Sequence, residues 1–260
     1  MMSTRFRLIT IPVSHYCEKA RWALEYLQIP FQEFAHMPPF YQIAVKKYGG
    51  TTLPILITDT QTICDSTGIL RYLDTLQPGK LYPSESELQA LTIELETLFN
   101  ENLGINTRRW GYSTILTPEL IYPKWTQGVP TWQKPLFPII FPQVKSIVQK
   151  RFQITKTSAR EAYQEIEGVF DRVSQILGDG RKYLLGDQFS AIDLTFAALA
   201  APILQPPEHH IPPSPIEVAP IQVQDDIRAC RATRAGEFGL RLYREHRHYG
   251  IVNLTDDNQN

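Results

Sequence analysis

The sequence has few cysteines, almost no net charge and no long apolar run. Cys17, Cys64 and Cys230 are an odd number without the paired spacing of metal-binding motifs, so we expect no disulfide framework, no zinc site and a reducing, cytoplasmic location. A formal net charge of −1 supplies little of the positive field that nucleic-acid binding requires. The longest apolar stretch, Leu194 to Leu204, is shorter than the ~20 residues of a membrane span. The expected partners therefore include neither nucleic acid nor a membrane.

The chain is long enough for two packed domains. It has 260 residues, of which 43% are hydrophobic and 20% are charged, an ordinary globular composition. The segment from Gln77 to Ser86 contains proline and glycine and has no amphipathic pattern, which is typical of a linker. We expect domains at 1–77 and 87–250, followed by a frayed, Asp/Asn-rich tail at 251–260.

The first domain alternates strand and helix patterns. The predicted strands are Arg7–Val13, Phe31–Phe34, Ile55–Thr58 and Thr62–Cys64. The predicted helices are Tyr16–Gln28, Phe40–Tyr48 and Ser66–Leu76. Apolar residues at helical spacing and a short polar turn between the last two strands support these assignments. The order is βαβ followed by ββα, which predicts an α/β, thioredoxin-like fold.

The second domain is predicted to be all-α. Ser84 and Ser158 each precede a glutamate by three residues, the spacing of a capping box at a helix start. Two Pro-rich insertions, 117–142 and 205–220, interrupt the helical pattern. Because they are too apolar for free linkers, we expect ordered loops that wrap the helical bundle.

The junction of the first strand and first helix carries the most chemistry. Ser14, Tyr16 and Cys17 lie there, close to the unpaired backbone N–H groups and the positive end of the helix dipole. A hydroxyl or thiol at such a position can stabilise a neighbouring anion. The alternative is that Ser14 is an ordinary N-cap, since serine is a favoured capping residue.

Two further pairs have both a functional and a structural interpretation. Pro54 directly precedes a strand, where a cis bond would leave the backbone of Leu53 free to pair with an extended peptide. The alternative is a trans proline that begins an edge strand. Asp65 and Ser66 open the third helix, where they either hold a ligand's ammonium and carboxylate or simply cap the helix.

Taken in order, Ser-x-x-Cys at the first helix, Leu-Pro before the hairpin and Asp-Ser at the third helix resemble the glutathione site of the glutathione S-transferase superfamily, in its cytosolic, serine-type form. A second motif agrees. Ser190 and Asp193 have capping-box spacing, with Phe189 and Leu194 at the hydrophobic-staple positions, and they resemble the helix start that this family carries in its second domain.

The resemblance implies a role for each matching residue. Ser14 would donate a hydrogen bond to the sulfur of glutathione and favour its thiolate. Leu53 would pair its backbone with the cysteinyl part of the tripeptide, ahead of a cis Pro54. Asp65 and Ser66 would hold the γ-glutamyl end. Glutathione would be a co-substrate, and the resemblance also implies a homodimer and a role in detoxification.

The sequence departs from the family pattern in two places. Thr52 stands where members often carry Lys or Gln for the glycyl carboxylate, and Lys46 or Lys47 in the preceding helix is the candidate substitute. The thiol-exchange branches place cysteine first in the four-residue motif, whereas Cys17 is last here, which favours conjugation over redox chemistry. Tyr16 is a rival hydroxyl donor.

Three functions follow as hypotheses. The first is a glutathione transferase that conjugates the glutathione thiolate to small hydrophobic electrophiles. The second is a glutathione-dependent thiol/disulfide or lyase activity through Cys17, and the third is a non-catalytic, transferase-like binding or scaffold protein.

Other residues remain with more than one interpretation. His209 and His210 lack a third ligand at a usual sequence spacing, so we expect no metal there. Four aromatic residues of the second domain either pack in the core and loops or form an apolar wall for a co-substrate. These residues are Trp110, Tyr112, Trp125 and Trp132.

Overall fold

The computed structural model describes residues 6–247, so the tail expected at 251–260 lies outside the described residues. The first part of the chain is a four-stranded sheet with three helices. Its strands are β1 (Phe6–Thr10), β2 (Phe31–Ala35), β3 (Ile55–Ile57) and β4 (Thr62–Ile63). Its helices are α1 (His15–Tyr26), α2 (Tyr41–Lys47) and α3 (Ser66–Leu76).

The sheet has the order β2-β1-β3-β4, with β1 parallel to β2 and antiparallel to β3. Alternation along β1 decides which face each side chain covers. Leu8 packs into the main core with α1 and α3, whereas Ile9 packs with Ala44 and Val45 of α2 on the opposite face. The thioredoxin-like prediction is therefore confirmed.

Helix α1 lies between the sheet and the helical part of the chain and is largely buried. Four residues that the sequence places on one apolar face are all buried, as the 3.6-residue periodicity requires. They are Ala20, Ala23, Leu24 and Leu27. The strand before α1 ends at Thr10 rather than Val13, because the chain turns there, with the Ser14 amide donating to the Ile11 carbonyl at 3.1 Å.

The second part of the chain is helical, as predicted. A π-helical segment, Leu98–Leu103, joins its first two helices. The helices of this second part are α4 (Ser86–Thr97), α5 (Gly104–Ile115), α6 (Pro118–Trp125), α7 (Phe137–Arg151), α8 (Lys156–Ile176), α9 (Ala191–Leu204), α10 (Ile221–Arg231) and α11 (Arg234–His246).

Helix α9 forms the centre of the helical part and packs against α1, α5 and α11. Every residue of it except Pro202 is buried, which matches its uniformly apolar sequence. Its start is the predicted capping box: Asp193 accepts from the Ser190 amide at 2.8 Å, and the Ser190 hydroxyl accepts from the Ile192 amide at 3.2 Å. This prediction is confirmed.

The other two predicted capping boxes are wrong. Helix α4 begins at Ser86 after Glu85, and its N-cap makes no side-chain bond, so Ser84 lies outside the helix. In α8 the capping residue is Thr155, and Ser158 is its partner three residues into the helix. The Thr155 hydroxyl accepts from the Ser158 amide at 3.0 Å. In a capping box, a serine hydroxyl can take the place of glutamate at the third helical residue. The helix therefore starts about one turn earlier than the sequence spacing predicted.

The Pro-rich insertion at 117–142 is mostly helical rather than a loop. Pro118 and Pro138 lie in the first turns of α6 and α7, where a missing N–H costs no hydrogen bond. Helices α6 and α7 bury a second core that includes Met37 of the first domain. The insertion at 205–220 is a loop with one short 3-10 turn, Ile216–Val218.

No helix within 6–247 combines the length and apolar character that a membrane crossing requires. The division of the chain into 1–77 and 87–250 stays a prediction.

Candidate functional site

A cavity of about 390 Å³ opens between the start of α1, the segment before β3 and helices α5 and α7. It is lined from the first domain by Ser14, His15, Tyr16, Tyr41, Thr52 and Leu53, and from the helical part by Arg108, Arg109, Tyr112, Arg151 and Phe152, among others. The volume is sufficient for a small ligand, and such clefts between domains are common binding sites.

Ser14 is the N-cap of α1 and faces this cavity. Its half-buried hydroxyl accepts from the Cys17 amide, with 3.4 Å between Oγ and N. A hydroxyl that accepts in this way keeps its own hydrogen as a donor. Together with the N-terminal end of the α1 dipole, Ser14 can therefore stabilise an anion in the cavity.

Tyr16 contributes its ring to the cavity, but its hydroxyl is used elsewhere. The hydroxyl donates to the carbonyl of Asn100 at 2.7 Å. A Cβ at Gly104 would lie 2.4 Å from the tyrosine oxygen, so glycine at this position permits the close packing of α5 on Tyr16. Burial raises the pKa of Tyr16, which keeps it protonated.

Cys17 lies behind Ser14 in the core and has no exposed surface. Burial raises the pKa of its thiol to about 11, although the Ser14 hydroxyl and the Ile11 backbone oppose the shift. The thiolate is the reactive form of cysteine, so this thiol is unreactive at neutral pH.

The Leu53–Pro54 bond is cis, which confirms that part of the sequence interpretation. Leu53 lines the cavity, and the adjacent Pro54 is buried. Strand β3 begins only at Ile55, so the backbone of Leu53 precedes the paired part of the sheet. A second cis bond, Pro38–Pro39, was not anticipated from the sequence.

Asp65 and Ser66 open α3 but do not line the 390 Å³ cavity. The exposed carboxylate of Asp65 accepts from the Gly68 amide at 2.7 Å, and the Ser66 side chain is buried. Lys46 and Lys47 end α2, are exposed, and also lie outside the cavity lining.

Sequence reasoning missed the cations of the cavity. Arg108, Arg109 and Arg151 line it, and no aspartate or glutamate is among its lining residues. Arg109 is held by the Phe152 carbonyl and the Asn106 side chain at 3.0 and 3.2 Å. No local motif marks these arginines, because α5 and α7 are brought to Ser14 only by the tertiary fold.

His15 also lines the cavity. Its Nε2 lies 2.8 Å from the Gly104 carbonyl. Burial, with Arg108 adding to the effect, lowers the pKa of His15 to about 3. The ring is therefore neutral at neutral pH and adds no charge to the site.

His209 and His210 have no third ligand at a usual sequence spacing, but the tertiary fold supplies a residue that could be one. The fold brings Glu18 of α1 to them, with the three ligand atoms within 4.8 Å of one another. Glu18 Oε2 lies 2.9 Å from His210 Nδ1, but Arg21 and Arg247 each donate to the same carboxylate at 2.7 Å. Because a cation there would face two guanidinium groups, we assign this cluster to packing of the 205–213 loop on α1.

Of the four aromatic residues considered as a wall, Tyr112 lines the cavity. Trp110 is buried and donates to Asp226 at 3.0 Å, and Trp125 is buried in the second core. Trp132 is exposed and packs edge-on against Phe40. The structural interpretation therefore applies to the three tryptophans.

Comparison with known proteins agrees with the fold. Residues 8–81 match the family described as glutathione S-transferase, N-terminal domain. No curated protein sequence matches the chain significantly.

Solved structures are similar over nearly the whole chain. A glutathione S-transferase of Ceriporiopsis subvermispora in complex with glutathione is 18% identical, with 94% of this chain and 98% of that chain covered and a TM-score of 0.60. A glutathione transferase from Phanerochaete chrysosporium is 14% identical, with 95% and 98% covered and a TM-score of 0.61. A beta-etherase from a Sphingobium strain is 15% identical, with 91% and 98% covered and a TM-score of 0.56. Residues 8–81 therefore form a glutathione S-transferase N-terminal domain, and the chain as a whole has the glutathione S-transferase fold.

Proposed function

We propose that this protein is a glutathione transferase in which Ser14 stabilises the thiolate of bound glutathione. The observation that carries the proposal is the position of Ser14, an N-cap hydroxyl that faces a cavity shared with the helical part of the chain. A donor and a helix N-terminus aimed at one sulfur lower its pKa and increase the thiolate fraction at neutral pH.

The remaining glutathione contacts are proposed from the family resemblance. Leu53, held ahead of the cis Pro54, offers its backbone to the cysteinyl part of the tripeptide. Asp65 and Ser66 receive the γ-glutamyl end at the start of α3. Lys46 and Lys47 are exposed at the end of α2, and they are the candidates to pair with a glycyl carboxylate that Thr52 leaves without a charged partner.

The reaction needs no further group from the protein. With a halide, the thiolate attacks an activated carbon of the second substrate, a C–S bond forms, and the leaving group departs with the electron pair of the bond that breaks. With an isothiocyanate, the thiolate adds to the central carbon, the π electron pair of the C=N bond moves to nitrogen, and the nitrogen takes up a proton from water. Holding the glutathione thiolate beside the second substrate in the cavity supplies much of the rate enhancement.

A thiol/disulfide or lyase activity through Cys17 is not favoured, because that thiol is buried and its pKa is raised to about 11. Ether cleavage by the glutathione thiolate is a second candidate, since one structural neighbour is a beta-etherase. In that reaction a C–S bond replaces a C–O bond, and the released oxyanion takes up a proton from water.

The test combines binding and turnover. Calorimetry measures glutathione affinity for the wild type, Ser14→Ala and Ser14→Thr, and a panel of aryl halides, isothiocyanates and aryl ethers measures conjugation. The proposal expects turnover by the wild type and by Ser14→Thr, which keeps the hydroxyl, with a large loss in Ser14→Ala. No binding at millimolar glutathione would favour the non-catalytic scaffold hypothesis. The same proposal includes a homodimer, which light scattering tests. It also includes a cytoplasmic role in detoxification.

A further inference from the structure

Arg108 has no hydrogen bond or ion-pair partner for its guanidinium among residues 6–247. Its Nε is buried without a partner, and the side chain is half-buried in the wall of the cavity that contains Ser14. Most buried polar groups in folded proteins are paired, and an unpaired one requires a specific explanation. A charged group in this position is costly unless something pairs with it.

The guanidinium is held in place by aromatic rings instead. It lies over the ring of Phe152, with 4.3 Å between Cζ and the ring centroid, and near the ring of Tyr16 at 5.6 Å. Such contacts restrict the guanidinium and leave its N–H groups without hydrogen-bond partners among the described residues. The arginine is therefore oriented in advance, which reduces the entropy lost when a ligand binds.

The charged side chains that line the cavity around Arg108 are all positive. Arg109 and Arg151 also line the cavity, no carboxylate does, and burial lowers the pKa of Arg108, which indicates that its charge is not compensated. A low-dielectric cavity with uncompensated positive charge attracts anions. The same cavity presents the rings of Tyr41, Tyr112 and Phe152, which suit an aromatic body.

We propose that Arg108 is a specificity-determining residue and that the second substrate is an aromatic electrophile bearing a carboxylate or a similar oxyanion, bound by the Arg108 guanidinium. A planar guanidinium and a carboxylate form paired, charge-assisted hydrogen bonds. This inference rests on the proposed function for the identity of the site, but binding of the anion is measured without any conjugation.

A carboxylate of glutathione itself is the other source of an anion. Removal of the Arg108 guanidinium would weaken the binding of a different molecule in each case. If Arg108 recognises the second substrate, its removal weakens binding of the aromatic anion and leaves glutathione affinity unchanged.

The experiment measures calorimetric binding of dinitrobenzoate, and of dinitrobenzene as the matched uncharged ring, to the wild type and to three variants. Arg108→Gln removes the charge, Arg108→Lys keeps it without the planar fork, and Arg172→Gln is the charge-matched control. Arg172 lies on α8, exposed and paired with Glu94 at 2.7 Å, away from the cavity. Glutathione affinity is measured for each protein, and turnover of chlorodinitrobenzoate is compared with that of chlorodinitrobenzene.

We expect the wild type to bind dinitrobenzoate more tightly than dinitrobenzene. In Arg108→Gln, the ratio of the two affinities falls by about 10- to 100-fold, the range for a hydrogen bond between charged groups. Arg108→Lys keeps part of the preference, Arg172→Gln keeps all of it, and glutathione affinity is unchanged. An equal affinity of the wild type for the two rings would overturn the inference, as would a preference that survives in Arg108→Gln while glutathione affinity falls. An Arg108-dependent preference without any turnover supports the anion site and contradicts the proposed transferase function.

Discussion

The hydroxyl of Tyr16 donates to the backbone carbonyl of Asn100, 2.7 Å away, across the junction of the two parts of the chain. Asn100 lies in the π-helical segment before α5, and its side chain also bonds Thr67 of α3 and Lys19 of α1. Of the two hydroxyls near the start of α1, that of Tyr16 therefore joins the two parts of the chain. The Ser14 hydroxyl faces the cavity and keeps its hydrogen as a donor.

We expect Ser14→Ala and Tyr16→Phe to separate catalysis from stability. Ser14→Ala lowers kcat/KM for conjugation by about 10- to 100-fold, because it removes a hydrogen bond to a charged atom. Tyr16→Phe lowers the free energy of unfolding by about 1 kcal/mol and changes kcat/KM by less than about threefold. Steady-state kinetics and urea unfolding measure both; the reverse pattern would assign the donor role to Tyr16.

The three free cysteines should differ in reactivity. Cys17 and Cys230 are buried, and burial raises the pKa values of their thiols to about 11 and about 12, so both stay protonated at pH 8. We expect a thiol reagent to modify Cys64, which is partly exposed, well before the other two, and Cys17→Ala to retain conjugation activity. Rapid labelling of Cys17 in the native protein, located by mass spectrometry, would revive the thiol/disulfide hypothesis.

Glu18 should make stability depend on pH in the acid range. Burial opposes its ionisation, but Arg247 and His210 outweigh burial and hold the pKa of Glu18 well below its ordinary value of 4.5. A carboxyl with a lowered pKa stabilises the fold above its unfolded pKa, and the contribution is lost as the pH falls towards its folded pKa. We expect Glu18→Gln to lower the free energy of unfolding by about 3–5 kcal/mol at pH 7. The substitution removes the carboxylate shared by buried Arg21 and Arg247, which then keep Glu33 and Glu25 as their respective ion-pair partners.

The difference between wild type and Glu18→Gln should shrink as the pH falls below about 4.5, and chemical denaturation across the acid range measures it. Glu94→Gln is the control, because Glu94 pairs with Arg172 at the surface and an exposed pair contributes less than about 1 kcal/mol. A pH-independent difference for Glu18→Gln would contradict the assignment.

The capping box of α9 should be important for stability. The buried carboxylate of Asp193 accepts from the Leu184 amide and from both the amide and the hydroxyl of Ser190, at 2.7–2.8 Å. Asp193→Ala leaves buried donors unpaired, so we expect a loss of about 2–4 kcal/mol, compared with about 1 kcal/mol for Ser190→Ala. Thermal and denaturant unfolding test this order, and equal small losses would argue against it.

Local patterns were sufficient for the fold of the first domain. The apolar spacing of α1, the turn between β3 and β4 and the Leu53–Pro54 pair all depend on neighbouring residues, and the structure agrees with each. The boundaries were less accurate. Ser158 has the spacing of a cap, but Thr155 occupies that position, and sequence spacing does not choose between two hydroxyls in one turn.

The sequence pointed to the helical side of the cavity only through Tyr112, as one of two interpretations. Ser14 and Leu53 lie in recognisable motifs, whereas Arg108 and Phe152 meet them only after α5 and α7 have packed, more than 90 positions along the chain from Ser14 to Arg108. Glu18 and His210 show the same limit, since their contact crosses from α1 to a loop far along the chain. Contacts of this kind have no periodicity or motif in the sequence.

The most direct test of the central claim is the pKa of the glutathione thiol when bound to the protein, obtained by titrating the ultraviolet absorbance of the thiolate in the wild type, Ser14→Thr and Ser14→Ala. A free thiol has a pKa of about 8.5, and a donor at a helix N-terminus lowers it. The account predicts a bound pKa lowered by about 1–2 units in the wild type and in Ser14→Thr, and returned towards the free value in Ser14→Ala. An identical bound pKa in wild type and Ser14→Ala would contradict it.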